Sequence, residues 1–283
     1  MERKTRVASR VVSLVPALTE TVRALGAGDR LVGVSDYDDS PSQTPSLPRV
    51  GTFLAPVVER VLALQPDTVL TSPTPANENA VRAIERAGVR VVVIRNEGSL
   101  AALRRAIARV AELLARRREG QRLLGAIDAQ IERARGQAKR GLAKRRLQSA
   151  GKDEDGTDRR PRVAVVVGRE PLVLAGPGSY LGELVDICGG RNIAAAGGGR
   201  WPHVGLEAML ASQPEVIVDL SMGSERLGSR ERLRSYWGRF PSMPAVAHHR
   251  LYVGAADLFQ RPGPRIGEAA LALVAMIYPP VQS

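Results

Sequence analysis

A proline-free stretch with helical periodicity, from Ser99 to Leu147, separates two segments in which apolar runs alternate with helical patterns. Apolar residues recur three and four positions apart along it, as they do on one face of an α-helix. The Arg-Arg-Arg-Glu-Gly sequence at 116–120 interrupts the pattern and predicts two helices, the second from about Glu119 to Leu147. At about 1.5 Å per residue, the second helix is a strut that holds two lobes at a fixed separation.

The two flanking segments each predict an α/β lobe. Short apolar strand patterns such as Leu31–Val34, Thr68–Thr71 and Val216–Leu220 alternate with helical patterns, which is typical of parallel sheets. We divide the chain into an N-terminal lobe (1–98), a helical connector with a flexible loop (99–160) and a C-terminal lobe (161–283). The predicted fold class is α/β, with two Rossmann-like lobes that have parallel sheets, a long rigid α-helix that joins them, and a ligand cleft between the lobes.

The two lobes share a short internal repeat. Residues 59–67, which read Glu-Arg-Val-Leu-Ala-Leu-Gln-Pro-Asp, align with residues 207–215, which read Glu-Ala-Met-Leu-Ala-Ser-Gln-Pro-Glu. Each copy predicts a short helix that is ended by proline and followed by an apolar strand. The matching Glu, Gln, Pro and acidic positions favour two lobes of similar internal structure.

The positive charge is concentrated in the connector. The chain has a net charge of +12, and residues 101–160 contain 17 Lys and Arg against 8 Asp and Glu. A solvated helix face and loop would account for this charge, and so would contact with anionic lipid or with a partner. No zinc-finger spacing or aromatic–basic interleaving is present, so we do not predict nucleic-acid binding.

The sequence motifs of enzymes are incomplete. Gly-Pro-Gly-Ser at 176–179 lacks the Lys-Ser/Thr ending of a phosphate loop, and Ser179 is better explained as a helix cap. Cys188 is the only cysteine, so no internal disulfide can form, and packing is its expected role. The histidines are His203 and the adjacent pair at 248–249, a spacing that does not predict a metal site. We therefore expect no enzymatic activity, no metal and no cofactor.

Aromatic residues are scarce, and four of them fall in predicted loops. They are Tyr37 and Phe53 in the first half and Trp201 and Phe259 in the second. Loops at the carboxyl ends of parallel strands bind ligands in open α/β sheets. Facing aromatics from two lobes would suit a large, flat and partly apolar ligand.

These features resemble the substrate-binding proteins of cobalamin and iron-complex ABC importers. The resemblance covers nearly the whole chain apart from residues 148–160, and the stretch Trp201–Glu207 is similar to the cobalamin-binding branch in particular. The other segments that carry it are Arg10–Pro16 with Thr19 and Glu20, Leu31–Ser35 with Tyr37 and Pro41, Leu62–Asp67, and Gly189–Ile193. The family fold is two α/β lobes joined by a rigid helix, with the ligand between them.

The resemblance implies a set of ligand-binding residues and a bound corrinoid, cobalamin or a relative of it. Three aromatics match cleft positions of cobalamin binders, and the segment 257–261 matches a cleft loop whose aspartate lies near the ligand. The implied ligand-binding residues are Tyr37, Phe53, Trp201, Asp257, Phe259 and Arg261.

The resemblance also implies a partner. Glu59 and Glu207 match paired surface glutamates, one per lobe, that such proteins offer to arginine pockets of a dimeric ABC transporter permease at the membrane. A monomer in the periplasm or cell envelope is expected. The apolar run Val11–Val15 is too short for a signal peptide, and no run approaches the ~20 apolar residues of a membrane span.

Three alternatives stay open on the sequence. The same transport role could serve heme, with Tyr37 or His203 as an axial ligand, or a ferric siderophore, which would favour cleft arginines such as Arg261. A cytosolic enzyme on a similar two-lobed scaffold would need a cofactor motif or a carboxylate–histidine constellation. A nucleic-acid binder that uses the basic connector would need an element that reads bases.

Overall fold

The computed structural model describes residues 7–38, 46–96, 98–148, 158–221 and 229–279, which form two compact units joined by one long helix. The first unit comprises residues 1–97, 101–126 and 262–264, and the second comprises 98–100, 127–261 and 265–283. The predicted flexible loop at 148–160 falls mostly outside the described residues. The prediction of two α/β lobes joined by a long helix is confirmed.

The first unit is built on a four-stranded parallel sheet in the order β2-β1-β3-β4. Buried apolar side chains cover both of its faces, as parallel sheets require. Its strands are β1 (Val11–Ser13), β2 (Leu31–Val34), β3 (Thr68–Thr71) and β4 (Arg90–Val93), and its helices are α1 (Pro16–Ala24), α2 (Val58–Ala63), α3 (Glu78–Arg86) and most of α4 (Leu100–Leu113).

The long helix α5 spans Arg117–Gln148, close to the predicted range. It is separated from α4 because Ala115 has a φ of 53°, a left-handed conformation that ends the preceding helix. Residues up to 126 belong to the first unit, and the rest of the helix belongs to the second. Most arginines and lysines of α5 are exposed, so much of the connector's charge faces solvent. None of the described helices is both long enough and apolar enough to cross a bilayer.

The second unit is built on a five-stranded sheet in the order β6-β5-β8-β9, with β7 also paired to β5. Its strands are β5 (Arg162–Arg169), β6 (Leu172–Leu174), β7 (Arg191–Asn192), β8 (Val216–Asp219) and β9 (Leu251–Val253). Its helices after α5 are α6 (Tyr180–Ile187), α7 (Leu206–Ala211), α8 (Ser229–Trp237), α9 (Pro244–Ala247), α10 (Ala256–Phe259) and α11 (Ile266–Ile277). The edge strand β6 runs antiparallel to β5 and was not predicted, because its extended conformation depends on pairing with β5.

The internal repeat has the same backbone structure in both units. Gln65 and Gln213 each follow the short helix with a φ of 47°. An arginine at the start of the neighbouring strand donates its Nε to the carbonyl of each glutamine, Arg10 to Gln65 at 3.0 Å and Arg162 to Gln213 at 2.7 Å. The matching sequence therefore builds the same turn twice.

The acidic residues of the repeat, Asp67 and Glu215, cap neighbouring backbone amides in both units. The amides of Arg10 and Arg162 donate to them at 3.0 Å. Burial by itself would raise the pKa of Asp67, but hydrogen bonds from Ser9 and Arg10 outweigh burial and lower it. Burial would also raise the pKa of Glu215, but hydrogen bonds from Arg162 and Arg145 outweigh burial and lower this pKa. Both carboxylates therefore stay ionised at neutral pH.

Two residues with potentially reactive side chains, Ser179 and Cys188, have structural roles, as predicted. Ser179 caps α6, because its Oγ accepts the Gly182 amide at 3.0 Å. Cys188 is buried and donates its Sγ to the carbonyl of Ala270 at 3.3 Å. Burial raises the pKa of the Cys188 thiol to about 12, so it is a thiol rather than a reactive thiolate.

Candidate functional site

In the first unit, the loop that follows β2 presents Tyr37 to solvent. The side chain of Tyr37 is 56% exposed, whereas its neighbours Ser35 and Asp38 are buried. Asp38 accepts two hydrogen bonds from the guanidinium of Arg23, at 3.2 and 3.3 Å. Residues 35 and 38 are therefore held in the structure on either side of Tyr37, while the ring of Tyr37 points outward.

The turn that carries Phe53 is joined to the same loop. The amide of Asp36 donates to the carbonyl of Gly51 at 2.9 Å, and the amide of Gly51 donates to Asp36 Oδ1 at 3.1 Å. Phe53 is half-buried and packs against the apolar cluster beneath the sheet. The two aromatic residues predicted for this unit are thus carried by segments that are hydrogen-bonded to each other.

Asn77 holds the backbone of this turn from the other side. It is 3% exposed, and its Nδ2 donates to the carbonyl of Phe53 at 2.7 Å. The same nitrogen lies 3.1 Å from the carbonyl of Ser72 and 3.3 Å from Thr71 Oγ1, at the carboxyl end of β3. The sequence does not point to Asn77, because a single asparagine before a helix gives no sign of a partner 24 positions earlier.

Gly51 admits no side chain, and we expect Gly51→Ala to lower the free energy of unfolding by about 2 kcal/mol. Its φ is +93°, and an added Cβ would lie 2.6 Å from the carbonyl oxygen of Ala55. Gly88 is the matched control, because its φ is +85° but a Cβ there would meet nothing within 4 Å.

Gly88→Ala should therefore lower the free energy of unfolding only through the strain of a left-handed backbone, by about 1 kcal/mol. Urea denaturation of both variants measures the difference. Equal losses of unfolding free energy in the two variants would mean that the close contact between position 51 and the carbonyl of Ala55 adds nothing to the cost.

In the second unit, Trp201 lies on a segment that runs beside the edge strand β6. Three backbone hydrogen bonds of 2.8–3.1 Å join residues 200–204 to residues 172–176. Trp201 is 39% exposed, and its ring meets the ring of Tyr180 edge-on at a centroid distance of 6.1 Å. The predicted loop position of Trp201 agrees with the structure.

The predicted loop position of Phe259 is wrong. Phe259 ends the short helix α10, and its side chain is 1% exposed, because it packs into the core of this unit. Its carbonyl accepts a hydrogen bond from Tyr180 Oη at 2.7 Å. Tyr180, which sequence analysis missed, therefore contacts both Trp201 and the helix that precedes Arg261.

Asp257 and Arg261 flank Phe259 on the surface. The carboxylate of Asp257 is 41% exposed and pairs with Arg265 Nη1 at 3.1 Å, while Arg265 Nη2 also donates to the Asp257 carbonyl at 2.7 Å. Arg261 is half-buried. The polar residues predicted for this unit thus lie on one short segment together with an arginine that was not predicted.

A buried polar network at the carboxyl end of β8 was also missed. Asp219 is fully buried, and its Oδ2 accepts hydrogen bonds from Arg169 Nε and from Trp237 Nε1, both at 2.9 Å. Its Oδ1 accepts the amide and hydroxyl of Ser221 at 3.0 and 2.6 Å. The Arg169 guanidinium lies 4.3 Å from the ring centroid of Tyr236. This network joins β5, β8 and α8 at the sheet end where α/β proteins bind ligands.

Glu59 and Glu207 occupy equivalent positions in the internal repeat. Each is the second residue of its short helix, Glu59 in α2 and Glu207 in α7, and both side chains are exposed. A carboxylate at that position is favoured by the positive end of the helix dipole. The geometry leaves both carboxylates accessible to a partner.

The described residues contain no group of three His, Cys, Asp or Glu side chains placed to hold a metal ion. His203, a possible axial ligand for heme, is exposed, and its backbone bridges to Val173 of β6. The ring of Tyr37 and the face of Trp201 are the most accessible aromatic surfaces among the predicted ligand-binding residues.

Comparison with known proteins places the chain among transport proteins. Residues 11–258 match the family described as periplasmic binding protein. The chain is 30% identical over 269 residues to the vitamin B12-binding protein of Salmonella choleraesuis (strain SC-B67), covering 94% of this chain and 89% of that protein. The periplasmic vitamin B12 binding protein BtuF of Vibrio cholerae superposes with a TM-score of 0.71 and 25% identity, over 95% of this chain and 96% of the other. The periplasmic heme-binding protein RhuT from Roseiflexus sp. RS-1 superposes with a TM-score of 0.77 and 27% identity, over 96% of this chain and 98% of the other.

Proposed function

This chain belongs to the periplasmic binding protein family, and we propose that it is the substrate-binding component of an ABC importer whose ligand is a corrinoid, cobalamin or a close relative of it. The ligand is held by exposed aromatic residues, and it is delivered to a permease dimer at the membrane. The protein acts as a monomer in the periplasm or cell envelope. No chemical step is assigned to it.

The observation that carries this proposal is the pair of exposed aromatic side chains. Tyr37 and Trp201 are 56% and 39% exposed, although burial would stabilise such large apolar groups. Each is held by a structured loop rather than by a helix or strand of the core. Rigid exposed aromatics are typical of binding surfaces, because they give a large contact area at little entropic cost. The relatives that bind vitamin B12 make a corrinoid the first ligand to test.

Cobalamin titration followed by calorimetry and absorbance tests the proposal. Trp201→Ala is expected to weaken cobalamin binding by about 2 kcal/mol, because it removes one large face of the site. Leu147→Ala is the control, since Leu147 is 78% exposed on α5 and is no part of the predicted site. Unchanged cobalamin affinity in a folded Trp201→Ala variant would remove Trp201 from the site.

Heme is the second candidate, and the exposed phenol of Tyr37 favours it. A tyrosine oxygen can serve as an axial ligand of ferric heme, and a structural relative at 27% identity binds heme. Tyr37→Phe separates the two ligands, because it keeps the ring and removes the oxygen. Corrinoid affinity should change little, whereas heme affinity and the heme absorbance spectrum should change strongly. Ferric siderophores complete the panel, and binding of none of the three ligands would refute the proposed function.

Docking to the transporter is assigned to Glu59 and Glu207. Arginine is the expected partner, because its planar fork grips a carboxylate with two hydrogen bonds. We expect Glu59→Ala combined with Glu207→Ala to leave ligand affinity intact and to weaken association with the reconstituted importer at least about tenfold. Normal ligand delivery by the folded double variant would refute this role, and a loss of ligand affinity would place the two residues in the binding site instead.

The chain offers a matched control for the docking variant. Glu78 and Glu231 are also exposed glutamates in the first turn of a helix, one in each unit, on α3 and α8. Glu78→Ala combined with Glu231→Ala removes the same charge and the same favourable position relative to the helix dipole. The control variant should bind the importer as the wild type does.

A further inference from the structure

The guanidinium of Arg49 binds the backbone of the loop that carries Tyr37. Its Nη1 donates to the carbonyl of Asp36 at 2.6 Å and to that of Ser35 at 3.2 Å. Its Nη2 donates to the carbonyl of Asp38 at 2.9 Å. The carbonyls on both sides of Tyr37 are therefore held by one side chain, which belongs to a different segment of the chain.

The backbone of Arg49 is itself fixed beside this loop. Arg49 forms a parallel bridge with Val34, the last residue of β2. Flanking hydrogen bonds of 3.0 and 3.1 Å join Val34 to the carbonyl of Pro48 and the amide of Val50. The side chain therefore starts from the end of the sheet and reaches along the loop, with its planar fork directed at main-chain oxygens.

The carboxylates next to Tyr37 have other partners, so Arg49 does not serve to neutralise them. Asp36 Oδ1 accepts the amide of Gly51, and the Asp38 carboxylate pairs with Arg23. Arg49 is itself exposed, and its side chain is not part of the apolar core. Its three hydrogen bonds constrain the conformation of the loop that carries the exposed ring of Tyr37.

We infer that Arg49 is a positioning residue that holds the Tyr37 loop in its ligand-binding conformation before the ligand arrives. This inference rests on the proposed function, in which Tyr37 contacts the ligand. A preformed loop lowers the entropy that binding must otherwise spend on ordering it. Both terminal nitrogens of the guanidinium are needed, so lysine, with one compact ammonium group, cannot replace arginine here.

Hydrogen exchange of the ligand-free protein tests the positioning step by itself. The amides of Tyr37 and Asp38 are hydrogen-bonded to the side chain and the carbonyl of Ser35, and loop opening exposes them. We expect exchange at these amides to be about tenfold faster in Arg49→Ala and Arg49→Lys, with the unfolding midpoint close to that of the wild type. The control is Arg82→Ala, which removes an exposed arginine that pairs with Glu78 on the same helix. Unchanged exchange in Arg49→Ala would overturn the inference.

A double-mutant cycle tests the connection to the ligand. Cobalamin affinity is expected to fall about three- to tenfold in Arg49→Ala, the range for ordering one loop side chain. In a Tyr37→Ala background the same substitution should have no further effect, because the residue that it positions is absent. Additive losses would mean that Arg49 acts independently of Tyr37 and would overturn the inference.

The two tests distinguish failure of this inference from failure of the proposed function. If the wild type binds heme or a siderophore instead of cobalamin, the cycle is run with that ligand. If it binds none of them, the proposed function falls, and the assignment of Arg49 as a ligand-positioning residue falls with it. The exchange measurement would then still show whether Arg49 orders the loop.

Discussion

Asp219→Ala is expected to lower the free energy of unfolding by about 4 kcal/mol, since it leaves the Arg169 guanidinium without its carboxylate in a nearly dry environment. Asp219 is fully buried, and the side chain of Arg169 is only 14% exposed. The substitution also removes the acceptor of the Trp237 indole N–H, 2.9 Å away. Urea denaturation at neutral pH gives the free energy.

Two further variants make this expectation specific. Asp257→Ala is the control, because Asp257 pairs with Arg265 on the surface, where an ion pair contributes about 0–1 kcal/mol. Adding Arg169→Met to the Asp219→Ala variant removes the unpaired charge. This second substitution should therefore lower the free energy of unfolding by less than Arg169→Met does in the wild type. A loss below about 1 kcal/mol in Asp219→Ala would contradict the importance of this network.

Asn77→Asp is expected to lower the free energy of unfolding by about 3 kcal/mol at neutral pH. The substitution replaces a donor that faces three oxygen acceptors with a carboxylate, which the carbonyl oxygens of Phe53 and Ser72 repel. Since Asn77 is 3% exposed, water cannot solvate the new charge well. The turn that carries Phe53 loses its attachment to the end of β3, so ligand affinity should fall as well.

The pH dependence of this variant has a defined sign. Burial and repulsion raise the native pKa of the introduced carboxyl above its unfolded value of about 3.9. The native state then binds more protons than the unfolded state, so the deficit is greatest above the raised pKa and shrinks as the pH falls through it. Asn79→Asp is the control, because Asn79 is exposed in the first turn of α3, where a carboxylate is tolerated. A deficit that does not change with pH would mean that the charge is not the cause.

The local patterns of the sequence were sufficient to predict most of the elements. Strands β2 and β3 begin and end where the apolar runs placed them. The repeated Gln-Pro-acid sequence predicted a shared structure that recurs as two turns with the same φ. Short elements without a visible period, such as β6, were missed because their conformation depends on the strand against which they pair.

The predicted site residues also divide into those set by local sequence and those set by tertiary packing. Tyr37, Phe53 and Trp201 lie outside helices and strands as expected, because turn-forming residues around them are a local signal. Phe259 is buried, since the core of its unit closes over it. No pattern within a segment predicts which distant side chain packs against an aromatic ring.

The sequence by itself determined the two α/β units, the long helix and the repeated turn, because periodicity and turn chemistry act between neighbours in the chain. Only the tertiary structure decided that Arg49 holds the Tyr37 loop, that Asn77 holds the Phe53 turn and that Tyr180 contacts Trp201. These partners lie 11 or more positions apart in the chain, and the folded structure brings them together. Their hydrogen bonds and ring contacts depend on side-chain placement in three dimensions, which short-range sequence patterns do not encode.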